Sequence, residues 1–148
     1  MIPRIARLAL ALVLVIGSTV GAVAGEIEWR RFAREMRLSD VDGFVETVRE
    51  IRTKGALPAA RYIDKDDAAR AGWRPGGDLC RVSGGRAIGG DRFSNREGRL
   101  PAAPGRRWTE ADLDFDCGKR NAKRIVFSSD RRVFVTVDHY ATFREVPP

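Results

Sequence analysis

The hydrophobic periodicity changes once along the chain, and this change constrains the fold more than any other feature. In the first half, Val41, Phe44, Val48 and Ile51 recur at the spacing of one helix face. The preceding Ser39 is a typical helix cap, so a helix is predicted to begin there. A second, shorter helix is predicted over residues 64–71, with Gly72 as its C-terminal stop.

Beyond residue 107 the apolar residues fall in short runs typical of strands. The runs 125–127 and 133–137 flank a short polar turn at residues 128–130 and predict a β-hairpin, and Phe143 is expected on a short last strand. The glycine-rich stretch around Gly84–Gly90 is expected to form tight turns. Helices followed by strands predict an α+β fold, with N-terminal helices packed on one face of a twisted antiparallel β-sheet.

The N-terminal residues resemble a targeting segment rather than part of the fold. Arg4 and Arg7 precede the unbroken apolar run 8–16, and Ala22-Val23-Ala24 is a small-residue cleavage pattern. Together these features predict a secretory signal peptide over residues 1–24, and therefore a secreted protein, extracellular or periplasmic. The alternative is an uncleaved membrane anchor, because residues 8–24 carry no charge.

The segment that follows, an extension over residues 25–40, is expected to precede a main domain at 41–148. Within it, Trp29, Phe32 and Met36 lie on one face of a predicted amphipathic helix over residues 26–38. Two interpretations stay open: a helix on a membrane surface, or an extension packed against the domain, which is favoured.

The charge balance points to an anionic partner. Lys and Arg number 27 against 20 Asp and Glu, a net charge of +7, which suits nucleic acid or a membrane surface. Almost all of the basic residues are arginines, whose planar fork fits phosphate and guanine edges. Arginine enrichment from a GC-rich genome is the alternative explanation.

The residues that could carry chemistry are few. His139 is the single histidine, and with Cys80 and Cys117 it leaves a typical zinc site one ligand short. A metal-dependent nuclease could instead use the alternating acids, and these are Glu110, Asp112, Asp114 and Asp116. Cleavage of RNA without a metal needs a base, an acid and cationic donors around the phosphate.

Four blocks resemble, in order, the microbial guanyl-preferring ribonucleases, and most closely their barnase-like members. The blocks are Ile88–Pro101, Gly105–Asp112, Arg120–Ile125 and Asp138–Tyr140. With shorter matches at 57–58, 62–65 and 71–73, the resemblance covers residues 41–146. It implies a ribonuclease domain that needs no cofactor and cleaves single-stranded RNA after guanosine, through a 2′,3′-cyclic phosphate.

The resemblance also assigns roles to individual residues. Glu110 matches the general base and His139 the general acid, while the cations at the phosphate are Arg120, Arg124 and Lys65. The substrate-binding set comprises Phe93, Ser94, Asn95, Arg96, Glu97 and Tyr140. In this set the backbone of 94–96 faces guanine O6, and the Glu97 carboxylate accepts hydrogen bonds from guanine N1–H and N2–H.

The resemblance further implies the partners of the chain. These are single-stranded RNA and a small acidic barstar-like inhibitor protein, with a monomeric enzyme and no membrane contact after signal cleavage. Two alternatives remain: a catalytically weak, basic RNA-binding or inhibitor-binding module, and an antibacterial toxin ribonuclease.

The two cysteines are expected to form a disulfide. Export to an oxidising compartment favours bonded over free cysteines. In a barnase-like fold, Cys80 and Cys117 would lie at the same end of the molecule. Two buried free thiols are the alternative.

Overall fold

The structure, a computed structural model, describes residues 21–148. Most of the predicted signal peptide therefore lies outside the described residues. Helix α1 occupies residues 21–35 of the described part, and the other helices are α2 (Val41–Lys54), α3 (Lys65–Arg70) and α4 (Cys80–Ser83). The strands are β1 (Tyr62–Ile63), β2 (Ala87–Phe93), β3 (Trp108–Asp112), β4 (Arg124–Ser128), β5 (Val133–Thr136) and β6 (Arg144–Glu145).

The strands form one sheet in sequence order, β1 to β6. All neighbouring pairs from β2 onward are antiparallel, and α2 packs against one face, so the predicted α+β fold is confirmed. One edge departs from the antiparallel pattern, because β1 pairs with β2 in parallel. A parallel pair needs a long crossover, and α3 and α4 supply it.

Helix α2 forms where the periodicity predicted it, but its cap is one residue later than expected. Asp40 caps the helix, since its Oδ1 accepts from Gly43 N at 2.9 Å, whereas the Ser39 N–H donates to Asp114. Gly55 ends the helix in a left-handed conformation, φ 70°, that favours glycine.

Helix α1 is packed on the domain, as the favoured interpretation predicted. Trp29, Phe32 and Met36 are buried in the same core as α2 and the sheet, and the Phe32 ring stacks on Phe44 at 6.0 Å. The membrane-surface interpretation is wrong, because the apolar face it requires is covered. No helix within residues 21–148 is long and apolar enough to span a bilayer.

Of the glycines expected to form turns, Gly84 and Gly85 do so after α4, whereas Gly89 and Gly90 belong to strand β2. A Cβ on Gly89 would lie 2.6 Å from the Tyr62 ring and 2.7 Å from Ala111 Cβ, so only glycine fits there. Gly90, with φ 105°, is the extra residue of a bulge between the Gly89 and Asp91 pairings. The bulge sets Asp91 opposite Glu110 on β3.

The ends of the sheet differ slightly from expectation. The last strand begins at Arg144, and Phe143 precedes it. Phe143 packs instead on a small apolar cluster that includes Leu100, Trp108 and Phe134. Leu100 belongs to the loop between β2 and β3, so the cluster packs against that loop.

The predicted disulfide is present and joins α4 to the loop after β3. The Cα atoms of Cys80 and Cys117 are 5.3 Å apart. Asp78 strengthens the junction, because its Oδ1 accepts from Cys80 N at 3.0 Å and from Gly118 N at 3.2 Å. The loop that the bridge anchors leads directly to Arg120.

Reduction of this disulfide is expected to destabilise the protein without abolishing catalysis. The bridged cysteines are 37 residues apart, and closing a loop of that length stabilises by roughly 3.8 kcal/mol in the chain-entropy model. Calorimetry with and without reductant measures the expected fall in Tm, and dinucleotide kinetics on the reduced protein measure kcat. Alkylation of both cysteines in the denatured, unreduced protein would contradict the bridge itself.

Candidate active site

Glu110 lies at the centre of the candidate site, in the middle of β3. Its side chain is only 11% exposed. One carboxylate oxygen accepts from the Tyr140 hydroxyl at 2.7 Å, and the other lies 3.5 Å from Lys65 Nζ. The structure thus brings together three residues that the sequence assigned to one site from three distant segments.

The Tyr140 hydroxyl is held as a donor. Burial, then the hydrogen bond to Glu110 and the charge of that carboxylate, together raise its pKa to about 12. The phenol therefore keeps its proton at neutral pH and fixes one oxygen of Glu110. The other oxygen of Glu110 faces Lys65.

Asp112 anchors both predicted phosphate-binding arginines. It follows Glu110 on the same face of β3, and its side chain is 1% exposed. Arg120 binds it through two hydrogen bonds of 2.7 Å, and Arg124 Nε lies 3.0 Å from Oδ1 as an ion pair without hydrogen-bond geometry. The Asp112 hydrogen bonds and charge raise the pKa of Arg120 against the opposing effect of burial.

Sequence reasoning missed this role of Asp112. The available signal was its position two residues after Glu110, which places both carboxylates on one face of a strand. The strand register explains the contact with Arg124, because Asp112 and Arg124 are paired directly across β3 and β4. That pairing is long-range and is not visible in the local sequence.

Arg124 is held rigidly, with its side chain 4% exposed. Its Nη1 donates to the carbonyl oxygens of Asn121 at 2.6 Å and Lys123 at 2.8 Å, and its guanidinium lies 5.9 Å from the centre of the Tyr140 ring. The Arg120 side chain, by contrast, stays 22% exposed and can be reached by an anion.

His139 is exposed on the turn after β5, beside Tyr140. The centres of the two rings are 4.9 Å apart. Both residues have left-handed backbones, φ 54° and 71°, which is uncommon for residues other than glycine. Strained backbone of this kind clusters at functional sites, where surrounding contacts hold it.

Asp138 and its neighbours supply those contacts. The Asp138 carboxylate accepts from Thr142 N at 2.9 Å, Thr142 Oγ1 at 2.6 Å and Thr136 Oγ1 at 2.8 Å. These hydrogen bonds, those of Thr142 foremost, lower the pKa of Asp138 to about 2. The turn is pinned from the other side by His139 N donating to Ala122 O at 3.1 Å.

The predicted base-binding loop surrounds a pocket of about 140 Å³ that Tyr140 also lines. Asn95 shapes the loop rather than facing the pocket with a free amide. Its side chain donates to Leu100 O at 2.9 Å and accepts from Leu100 N at 3.0 Å. The pocket is lined by Phe93, Ser94, Asn95, Arg96, Glu97, Arg99, Tyr140 and Phe143.

Aromatic contacts join this pocket to Glu110. Phe93 stacks on Tyr140 with ring centres 5.3 Å apart, and Tyr140 in turn holds Glu110. Arg99, which the sequence did not single out, forms an ion pair with Glu97 and donates to Tyr140 O at 3.1 Å. Tyr140 therefore contacts both this pocket and the Glu110 carboxylate.

Asp91 and Arg106 lie apart and have different surroundings. Arg106 binds Asp130 through contacts of 2.7 and 2.9 Å. Asp91 lies near Lys65; burial raises the pKa of Asp91, and the charge of Lys65 opposes the rise.

The acids proposed for a metal site do not share one strand face. Strand β3 ends at Asp112, and the Asp114 carboxylate is paired with Lys123 at 2.6 Å. Across the described part of the chain, no three His, Cys, Asp or Glu side chains cluster as a metal site would require.

The sequence of the chain matches a known protein family. A family model described as ribonuclease matches residues 47–147. A protein named ribonuclease from Heyndrickxia coagulans is 54% identical over 86 residues, which are 57% of this chain and 79% of that protein. Ribonucleases from Bacillus intermedius and Bacillus pumilus are also 54% identical over 86 residues, and there the matched region spans about half, 53%, of each protein. With these blocks, this sheet and this site, the chain belongs to the barnase-like microbial ribonuclease family.

Proposed function

We propose that this RNA-cleaving protein is a secreted, guanyl-preferring endoribonuclease that acts on single-stranded RNA without a metal. The observation that carries the proposal is the arrangement around Glu110. A nearly buried carboxylate contacts Tyr140 and Lys65, a neighbouring carboxylate holds two arginines, and His139 lies on the adjoining turn.

In the first step, Glu110 removes the proton from the ribose 2′-hydroxyl. The 2′-oxygen attacks phosphorus, the bond from phosphorus to the 5′-oxygen breaks, and His139 protonates the leaving oxygen. The products are a 2′,3′-cyclic phosphate and a free 5′-hydroxyl. In the second step the roles reverse: His139 activates water and Glu110 returns a proton to the 2′-oxygen.

The cations stabilise the charge that develops on the phosphorane. Lys65 approaches from one segment and the two arginines, Arg120 and Arg124, from another. Asp112 holds both arginines before substrate arrives, which is what electrostatic catalysis requires. Asp112 serves this step indirectly, because it orients both guanidinium groups. The substrate's own 2′-hydroxyl is the nucleophile, so DNA is not cleaved.

Guanine preference is assigned to Glu97. Guanine offers two adjacent donors, N1–H and N2–H, and one carboxylate can accept both, whereas adenine lacks this pair. Phe93 supplies an apolar face beside the same pocket. The loop backbone at Ser94, Asn95 and Arg96 is the proposed partner of guanine O6.

Glu97→Ala is expected to reduce kcat/KM for GpN dinucleotides far more than for ApN. Each lost hydrogen bond leaves a polar group unpaired, at a cost of about 1–3 kcal/mol. Parallel kinetics on the two substrates measure the ratio, with ApN as the internal control. Equal losses on both would assign Glu97 a role in phosphate binding or packing instead.

The same cationic site suits an acidic protein partner. We propose a small acidic barstar-like inhibitor that covers Lys65, Arg120 and Arg124 and protects the producing cell from enzyme that folds before export. A pull-down with the Glu110→Ala variant tests this, and recovery of no acidic protein from that cell would count against it. The enzyme itself is proposed to be a monomer.

Cleavage of the signal peptide after Ala24 is compatible with the packing of α1. The contacts that fix this helix lie beyond that position: Glu26 pairs with Arg49 at 2.8 Å, and Trp29 Nε1 donates to Pro147 O at 3.0 Å. A disulfide also fits an oxidising compartment. Mass spectrometry of protein from the medium or periplasm tests the site, and an uncleaved chain in the membrane fraction would contradict it.

A further inference from the structure

The segment after α1 is fastened to the loop that carries the phosphate-binding arginines. Lys123 Nζ lies 2.9 Å from Arg37 O and 2.6 Å from Asp114 Oδ2. The same Asp114 carboxylate accepts from the backbone N–H groups of Ser39 at 2.8 Å and Asp40 at 3.0 Å. One lysine and one aspartate thus hold the chain at residues 37–40 against the loop 113–124.

Asp114 is suited to hold a cation permanently. Its side chain is 5% exposed. Burial alone would raise its pKa, but Lys123 and the two backbone donors outweigh this and lower the pKa below its usual value. The ion pair is therefore maintained at neutral pH.

The other side of the same loop positions Arg124. Asn121 closes the loop, because its amide donates to Leu113 O at 2.8 Å and Asp114 O at 2.9 Å and its oxygen accepts from Lys123 N at 2.7 Å. The carbonyl of Lys123 accepts from Arg124 Nη1 at 2.8 Å. Lys123 therefore binds the N-terminal segment through its side chain and orients Arg124 through its backbone carbonyl.

This connection uses residues outside the part of the chain that matches the ribonuclease family model. That match begins at residue 47, after the segment held by Lys123. The residues just before this segment are anchored to the domain: Met36 is buried in the core, and Glu35 pairs with Arg144 at 2.9 Å. Its attachment to Lys123 is thus firm enough to restrain the loop.

We propose that Lys123 is a positioning residue for phosphate binding, which ties the arginine-bearing loop to the N-terminal segment at residues 37–40. The inference rests on the proposed use of Arg120 and Arg124 at the phosphate. It predicts that loosening this tie weakens phosphate binding and turnover on every RNA substrate alike. The base pocket lies on another loop, so the preference for GpN over ApN should not change.

The test compares three variants of the full protein: Lys123→Met, Lys123→Arg and Arg37→Met. Lys123→Met removes the tie, Lys123→Arg keeps a cation that can reach both acceptors, and Arg37→Met removes an exposed positive charge at the same junction while keeping the backbone acceptor. Each is measured for Tm, for affinity toward inorganic phosphate by titration, and for kcat/KM on GpN and ApN.

Lys123→Met should lower phosphate affinity and both kcat/KM values about tenfold, because small misplacements of catalytic groups cost that much or more. Lys123→Arg should restore most of the loss, and Arg37→Met should stay close to the parent protein.

Equal effects of Lys123→Met and Arg37→Met would overturn the proposal in favour of a simple charge effect. If Lys123→Met does not fold, Asp114→Asn takes its place, and normal phosphate affinity in that variant would also overturn it. Absence of guanine preference in the parent protein would refute the proposed specificity and leave this comparison valid.

Discussion

Glu110→Gln and His139→Asn are each expected to lower kcat for RNA cleavage by about 10²–10⁴-fold, the usual contribution of one general acid or base. Glutamine keeps an acceptor for the Tyr140 hydroxyl, so the site retains its shape but loses the base. Asparagine tolerates the left-handed backbone that His139 adopts, so the turn is preserved while the acid is lost. Dinucleotide kinetics give kcat for both variants.

Thermal unfolding of the two variants provides the control, and their Tm should stay close to that of the parent protein. Near-normal turnover by the His139 variant would refute its role as the acid. Loss of activity together with loss of the folded state would leave no evidence for chemistry at either residue.

Asp112→Asn is expected to impair both stability and activity. Its carboxylate is almost fully buried and binds Arg120 and Arg124, and removal of one partner of a buried ion pair costs about 3–5 kcal/mol. Both guanidinium groups also lose the group that orients them, so kcat/KM should fall by about 10²-fold. Urea unfolding measures the first effect and dinucleotide kinetics the second.

Glu145→Gln is the matched control for Asp112→Asn. Glu145 binds Arg132 through two hydrogen bonds of similar length, 2.8 and 2.9 Å, but on the exposed surface. Exposed ion pairs contribute little to stability, so this variant should remain close to the parent protein in both measurements. Similar losses in the two variants would show that burial and the arginines of the site do not account for the Asp112 effect.

The local pattern was sufficient to predict the main helix and the hairpin. Helix α2 and the strands β4 and β5 each bury apolar side chains, and the spacing of these residues can be read within one short stretch of sequence. The ordered blocks then assigned Glu110, Lys65 and Tyr140 to one site, and the structure brings these side chains within contact distance.

Features that depend on long-range pairing could not be predicted in this way. The glycines of β2 look like turn residues until Tyr62 and Ala111 pack against Gly89. The role of Asp112 depends on the register of β3 with β4, and that of Arg99 depends on two loops meeting at Tyr140. None of these contacts has a signature within its own segment.

Metal-independent, guanine-directed transesterification can be tested by dinucleotide cleavage. The purified protein is incubated with GpN and ApN dinucleotides in the presence of a strong chelator, and the products are separated with time. We predict faster cleavage of GpN, a rate unaffected by the chelator, and guanosine 2′,3′-cyclic phosphate as the first product. Loss of cleavage with the chelator, equal rates on the two dinucleotides, or a product carrying a 5′-phosphate would contradict it.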